Sequence, residues 1–365
     1  MSETARPDEG AGTDSAIPSL GAVFAAVTMA AVLVPVRGGV DDPFIQAAAA
    51  FAVVAVVGFL ARRHGALDRT PGALAAAGAS LLVVLLTGYA VNQGTTAPTT
   101  VPGLEWTVSL IFLAFVAAGA SIGIAAADYA GVSTGGLVER TLRFSTMVVL
   151  GFAGLVGMAV VSIVFAPLLG TGNLEGQLLQ FLSTSLGLGS VAAIYMAMRG
   201  YDRSFVDLEV PNLRAVLWTV GGLALLFGAL VGISLAMTAI GVETAEHGTT
   251  QQVEQNPELI AVIVPGMLLI VGPFEELLYR NVVQKSLYET FSRYGAVVVT
   301  SVVFSSVHVS AYGVNSTAGE VLATLVVLFG LSLVLGFLYE RTDNLVVPAL
   351  VHGAYNAIQM LVLVL

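Results

Sequence analysis

Cysteine is absent from the 365 residues, which excludes disulfides, thiolate nucleophiles and cysteine-ligated zinc. Charge is scarce as well: 10% of residues are charged and 56% hydrophobic. Ordinary soluble domains carry about 25% charged residues, so the solvent for most of this chain is lipid. No alternating ten-residue strand patterns occur, which removes a transmembrane barrel. No basic stretch precedes the first apolar run either, which argues against a cleaved signal peptide. Residues 1–16 therefore read as a disordered polar tail, followed by an uncleaved first anchor. Lysine is nearly missing: Lys285 stands alone among 14 Lys plus Arg, within a net charge of −10. An acidic chain of this kind has no nucleic-acid partner. Arg in place of Lys, excess acid and abundant Ala, Gly and Val are the composition of a salt-adapted prokaryote.

What is present is apolar sequence in lengths that cross a bilayer. A helix needs about 20 apolar residues to span the hydrocarbon core. Eleven such segments run at about 17–36, 44–61, 71–91, 104–127, 145–169, 177–199, 213–240, 257–279, 295–312, 319–339 and 345–365. The expected fold is an all-α polytopic membrane protein. With the N-terminus in the cytoplasm, the basic residues fall inside: Arg62, Arg63 and Arg69; Arg140 and Arg143; Arg199, Arg203 and Arg214; Arg280, Lys285, Arg293 and Arg341. Only Arg37 falls outside, and Glu243, Glu246, Glu254 and Glu258 crowd the long outer loop 241–257.

The chain divides by character. Residues 17–170 hold five Ala-, Val- and Gly-rich segments with almost no interior charge, and read as a membrane extension. Pairs such as Gly119 with Gly123 and Gly151 with Gly154 read as sites of close helix packing. Residues 171–365 carry every polar motif of interest and read as the functional core.

Three of those motifs put ionisable groups where a membrane makes them costly, by about 2.5–3.5 kcal/mol each at the bilayer centre. They are Glu275-Glu276-Leu277-Leu278-Tyr279-Arg280, Phe304-Ser305-Ser306-Val307-His308 and His352-Gly353-Ala354-Tyr355-Asn356. Glu276 and Arg280 are i,i+4 neighbours that can pair. Glu275 points about 100° away and is free to face a polar cavity as a general base. Phe304 lies one turn before His308 and can fix its imidazole. His352 and Asn356 share a face and can hold an oxyanion. Each motif also has a plain reading: a solvated helix end, a structural histidine, an interhelical hydrogen-bonding pair. His64 and His247 lie in loops and read as solvated. One spacing is awkward. Glu275 lies in the cytoplasmic half of its helix, whereas His308 lies twelve or more residues, about 18–20 Å, into its own. They meet only if segment 281–294 is partly submerged or the His308 helix is strongly tilted.

In order and spacing, Glu-Glu-x-x-x-Arg, Phe-x-x-x-His and His-x-x-x-Asn resemble the CPBP family of intramembrane proteases. That family includes the type II CAAX prenyl endopeptidases and the bacteriocin-immunity and Abi proteins. The approach Tyr339-Glu340-Arg341-Thr342-Asp343-Asn344-Leu345, followed by Pro348, resembles it too. Asn281 departs from the pattern, since many members have Gly there. The resemblance implies a C-terminal CPBP-type helical core and hydrolysis of a peptide bond without an acyl-enzyme. It implies that Glu275 and His308 activate a water, that His352 and Asn356 stabilise the oxyanion, and that Glu276 and Arg280 support the site. Glu275, His308 and His352 also offer three ligands for zinc with an open water position. The His-Glu-x-x-His helix of zinc proteases is absent, however, and ligation would occupy the base. The reading is thus metal-independent, with zinc as the alternative cofactor.

Competing motifs carry less. Gly119-Ala120-Ser121-Ile122-Gly123 lacks the strand–turn–helix context of a nucleophile elbow, and Leu186-Gly187-Leu188-Gly189-Ser190 is no phosphate loop. An immunity-type scaffold would not need all these polar groups. A proton-coupled transporter should show inverted repeats, and none is evident. Prenylated CAAX peptides define the best-known relatives but sit poorly with a prokaryotic host. The expected partner is a membrane-anchored peptide or protein segment.

Overall fold

The computed structural model describes residues 16–100, 106–313 and 316–365. The tail expected at 1–16 lies outside them except for Ala16, which opens the first helix. The fold is all-α, as the apolar runs required. Among the described residues, nine helices are long and apolar enough to cross a membrane by length and composition, and two further apolar helices, Arg293–Val307 and Val346–Val362, are shorter. The only strands among the described residues are Pro98–Thr100 and Thr107–Ser109, an antiparallel pair with Pro98 opposite Ser109.

The chain forms two compact units, Met1–Glu139 and Arg140–Leu365. The first holds α1 (Ala16–Arg37), α2 (Pro43–Arg63), α3 (Arg69–Asn92) and α4 (Leu110–Tyr129). Asp42 caps α2 by accepting from the N–H groups of Phe44 and Ile45 at 2.8 and 3.1 Å, with Pro43 pre-set for the first turn. Ala48, Ala52 and Ala55 on α2 and Ala73, Ala76 and Ala79 on α3 are buried. Such small faces let helices approach closely in lipid. One interior charge escaped the sequence reading. Arg62 Nε reaches the buried Asp128 Oδ2 at 3.1 Å, so Arg62 is paired rather than merely a loop charge.

The second unit comprises α5 (Thr134–Leu169), most of which lies beyond residue 139, α6 (Asn173–Arg199), α7 (Leu213–Ala239), α8 (Gly248–Gln255), α9 (Pro257–Leu287), α10 (Arg293–Val307), α11 (Val309–Tyr312), α12 (Ala318–Thr342) and α13 (Val346–Val362). The division thus falls one helix before the change of composition near residue 170. Its cause is the glycine face of α5. A Cβ on Gly151 would stand 2.7 Å from Val303, and one on Gly154 would stand 2.9 Å from both Leu188 and Leu278. These absent side chains let α5 lie against α6, α9 and α10. Gly119 and Gly123 behave otherwise: a Cβ on either would meet nothing within 4 Å, so they are not packing sites.

The most irregular helix is α9. Pro265 and Pro273 each remove a donor and crowd the carbonyl one turn back. The helix accommodates them with wide π turns at Met267–Val271 and Leu277–Gln284, on either side of Glu275 and Glu276. It runs on to Leu287, well past the expected end at 279. A short connection then leads into α10, whose first turn is capped by Ser292. Segment 277–287 is therefore a buried helix. Glu275 lies twelve residues above its lower end, and His308 lies at the upper end of the returning fifteen-residue α10. The two residues come level because α9 continues for twelve residues past Glu275 before the chain turns back into α10.

The approach of α13 to α9 is equally specific. A Cβ on Gly272 would stand 2.5 Å from the Ala349 carbonyl oxygen, and one on Gly353 would stand 2.8 Å from the Met267 carbonyl oxygen. Only glycine at both places lets the two backbones touch. The turn from α12 into α13 is set by Asp343, at a left-handed φ of 47°, and by Asn344, whose side-chain oxygen caps Val346 N–H at 3.0 Å. The segment 205–209 ties this turn to α9. Leu345 N–H donates to Asp207 O at 2.7 Å, Asp207 N–H to Asn281 Oδ1 at 2.9 Å, and Asn281 Nδ2 to Phe205 O at 3.1 Å. Asn281, where many members of the resembled family have Gly, is here a fully buried fastening.

Candidate active site

The three motifs converge. Glu275 Oε2 lies 3.8 Å from His308 Nε2 and 3.9 Å from His352 Nε2. Together with Asn356 they line a cavity of about 260 Å³, which Thr184, Tyr279, Phe304, Tyr312 and Ser332 also border. The Asn356 carboxamide makes no side-chain hydrogen bond to the described residues and is free for a ligand.

Each imidazole is held by its other nitrogen. His308 Nδ1 is 2.7 Å from the Phe304 carbonyl oxygen, which can only accept, so Nδ1 carries the proton. His352 Nδ1 is 2.9 Å from Glu276 Oε1 and donates to that carboxylate. In the neutral rings both Nε2 atoms are then lone pairs, facing the one oxygen of Glu275. That oxygen is buried and has no hydrogen-bond partner among the described residues. Three acceptors facing one another repel unless something with protons to give lies among them. A water molecule there would do this, donating to Glu275 and to one imidazole.

Glu276 has the opposite fate. Its Oε2 accepts from Arg280 Nε at 2.8 Å, and both side chains are 0% exposed. Arg280 Nη2 donates in turn to Ser332 Oγ at 2.9 Å, and the guanidinium lies 5.1 Å over the Phe304 ring. The solvated helix end, considered from sequence, does not occur: Arg280 is not a loop charge but the largest fully buried side chain among the described residues. Phe304 works as its spacing suggested. Its ring is 4.4 Å from that of His308 and 6.0 Å from that of His352, with Tyr279 edge-on to it at 5.1 Å.

Zinc was the alternative cofactor. Tetrahedral ligands at about 2.0–2.1 Å from zinc stand about 3.3–3.4 Å apart. The two separations at Glu275 are wider, and among the described residues no group of three or more His, Cys, Asp or Glu can hold a metal ion. The donors as they stand do not fit.

Residues 257–358 match the family described as "Type II CAAX prenyl endopeptidase Rce1-like". That match covers 102 of the 365 residues, within the last third of the chain. All seven residues picked from the motifs lie inside that Rce1-like segment, and the resemblance read from them is borne out. A curated relative, "Putative membrane peptidase YdiL" of Bacillus subtilis (strain 168), is 29% identical over 145 residues, which is 37% of this chain and 54% of the relative. The match thus spans about half the length of that protein. No solved structure matches significantly.

Several neighbours of the site were invisible in the motifs. Ser332 and Gly336 on α12 receive Arg280 and Gln284, the latter through the Gly336 carbonyl at 3.1 Å. Tyr339 donates to Asp207 Oδ2 at 2.5 Å, so the expected Tyr339-to-Leu345 approach serves to anchor the 205–209 segment. His247, read as solvated, is instead partly buried and lines the cavity beside His308. Its only signal in the sequence was its position before Gly248-Thr249-Thr250, a run that starts a helix.

Proposed function

We propose that this chain is an intramembrane endopeptidase that hydrolyses a peptide bond in a membrane-associated polypeptide with water activated by Glu275 and His308. The observation that carries the reading is the unpartnered Glu275 oxygen held level with two imidazole Nε2 atoms in a cavity. A water there gives one proton to Glu275 as its oxygen attacks the scissile carbonyl carbon, while His308 accepts its second O–H. The C–O bond forms and the carbonyl π pair moves to oxygen. Asn356 donates to that oxyanion from its amide. His352 donates from Nε2 when its ring carries a second proton, a charge that the Glu276 carboxylate balances. The proton held by Glu275 then passes to the leaving nitrogen as the C–N bond breaks. No side chain is acylated, and no step needs a metal. Glu276, Arg280 and Phe304 are positioning residues that hold His352 and His308.

The substrate is a membrane-anchored peptide or protein segment. The orientation places the N-terminus in the cytoplasm, on the strength of Arg62, Arg63, Arg140, Arg143, Arg199 and Arg203. The test is cleavage of a membrane-peptide library by purified protein in liposomes, comparing wild type with Glu275→Ala, each with and without a chelator. Chelator-resistant cleavage that disappears in the variant supports the reading. Cleavage lost on chelation points to a metal. No cleavage by either protein returns the chain to a scaffold or immunity-type role, or to proton-coupled transport.

A further inference from the structure

Among the described residues outside the matched segment 257–358, one ionisable group, His247, lines the cavity. His247 sits on the polar strap 241–256, which is tied down at both ends. Ala245 N–H donates to Thr324 Oγ1 on α12 at 2.8 Å, and Asn173 Nδ2 on α6 donates to Asn256 Oδ1 at 2.5 Å. Between these anchors His247, Thr249 and Thr250 form part of the cavity wall, with Glu275 and His308 on the same cavity. The His247 ring stands edge-on to Tyr312, centroids 5.0 Å apart, one turn beyond His308.

His247 has its own tautomer logic. Its Nδ1 accepts from Thr249 N–H at 3.0 Å and so caps α8. In the neutral ring Nε2 must then bear the proton, and among the described residues it has no acceptor. Burial, and next the proximity of His308, push this imidazole down to about 4, so it remains a neutral donor at physiological pH. A cap alone calls for Ser, Thr, Asp or Asn, which fill that position without a second nitrogen. In an endopeptidase site the matching group is the backbone carbonyl of an enclosed peptide.

Resting on the protease reading, we propose that His247 is a substrate-binding residue whose Nε2–H hydrogen-bonds a backbone carbonyl of the peptide in the cavity. The strap thus supplies a binding contact from outside the region that carries the catalytic motifs.

The decisive variant is His247→Asn, which keeps a capping oxygen for Thr249 but lacks the far N–H. With the peptide that wild type cleaves fastest from the library, KM should rise about three- to tenfold, the worth of one neutral hydrogen bond, while kcat stays within about twofold. A wild-type KM in a folded His247→Asn protein overturns the proposal and leaves the protease reading standing. A wild type that cleaves nothing overturns both. A second measurement needs no variant at position 247. Diethyl pyrocarbonate modification of His247 in Glu275→Gln protein should slow severalfold with saturating peptide, and an unchanged rate overturns the contact.

Discussion

Replacing Arg280 by Met tests whether the enclosed ion pair organises the site. The pair is 0% exposed on both sides, with Arg280 Nε 2.8 Å from Glu276 Oε2. Arg280→Met leaves the Glu276 carboxylate buried with only His352 Nδ1 as donor, and it leaves Ser332 Oγ without its partner. Removing one member of such a pair costs about 3–5 kcal/mol, because the remaining charge has lost its compensation. For a unit of this size each kcal/mol lowers the melting temperature by about 2–4 °C, so a fall of roughly 6–20 °C is expected. The double variant Glu276→Gln with Arg280→Met removes both charges. It keeps an amide oxygen to accept from His352, and should regain most of the loss. Thermal unfolding in detergent micelles, followed by circular dichroism, reads both values. A fall of under about 3 °C for Arg280→Met, or a double variant no more stable than the single, would refute the idea that charge compensation rather than packing holds this corner.

Three other outcomes follow from the same geometry. Glu275→Gln should lower cleavage at least about a hundredfold while leaving the melting temperature level or slightly raised, since the oxygen it neutralises has no partner; a large loss of stability would make Glu275 structural. Gly272→Ala drives a methyl against the Ala349 carbonyl and should cost about 1–3 kcal/mol and most activity, whereas Gly119→Ala faces open space and should be neutral; paired melts and cleavage assays compare them. His247 has a folded value near 4 against an ordinary 6.5, so the unfolded chain takes up the proton first as pH falls. Its contribution is complete above about pH 6.5 and is lost on the way down to 4. Wild type should therefore lose more melting temperature between pH 7 and about 4.5 than His247→Asn does, and equal losses would count against the buried neutral ring.

Much of this arrangement was legible in the sequence because its physics is local. The i,i+4 spacing of Glu276 and Arg280 and of Phe304 and His308 fixes which side chains meet on one helix, and those contacts formed. Apolar length named the helices. What could not be read is what depends on helix-to-helix approach. The end of α9 was misjudged because hydropathy stops at Arg280, Asn281 and Gln284, all of them polar and all 0% exposed. Their burial rests on Ser332, Gly336 and Phe205, each far away in sequence. Glycine spacing was ambiguous for the same reason. Gly119 and Gly123 repeat as neatly as Gly151 and Gly154, but only the second pair faces another helix.

The two adjacent acids show how one helix divides a task. Successive positions differ by about 100°, so Glu275 and Glu276 cannot share an environment. Glu276 is satisfied by Arg280 one turn on along its own helix and by His352 on α13, at 2.8 and 2.9 Å. Glu275 turns into the cavity and faces the Nε2 edges of two rings, whose Nδ1 edges are engaged elsewhere. The satisfied acid thereby dictates the tautomer that the unsatisfied one faces. If Glu276 were lost, His352 could turn Nε2–H toward Glu275 and form the bond the site now lacks, exchanging reactivity for stability. Glu276 thus sets the His352 side of its neighbour's surroundings, and the Phe304 carbonyl sets the His308 side.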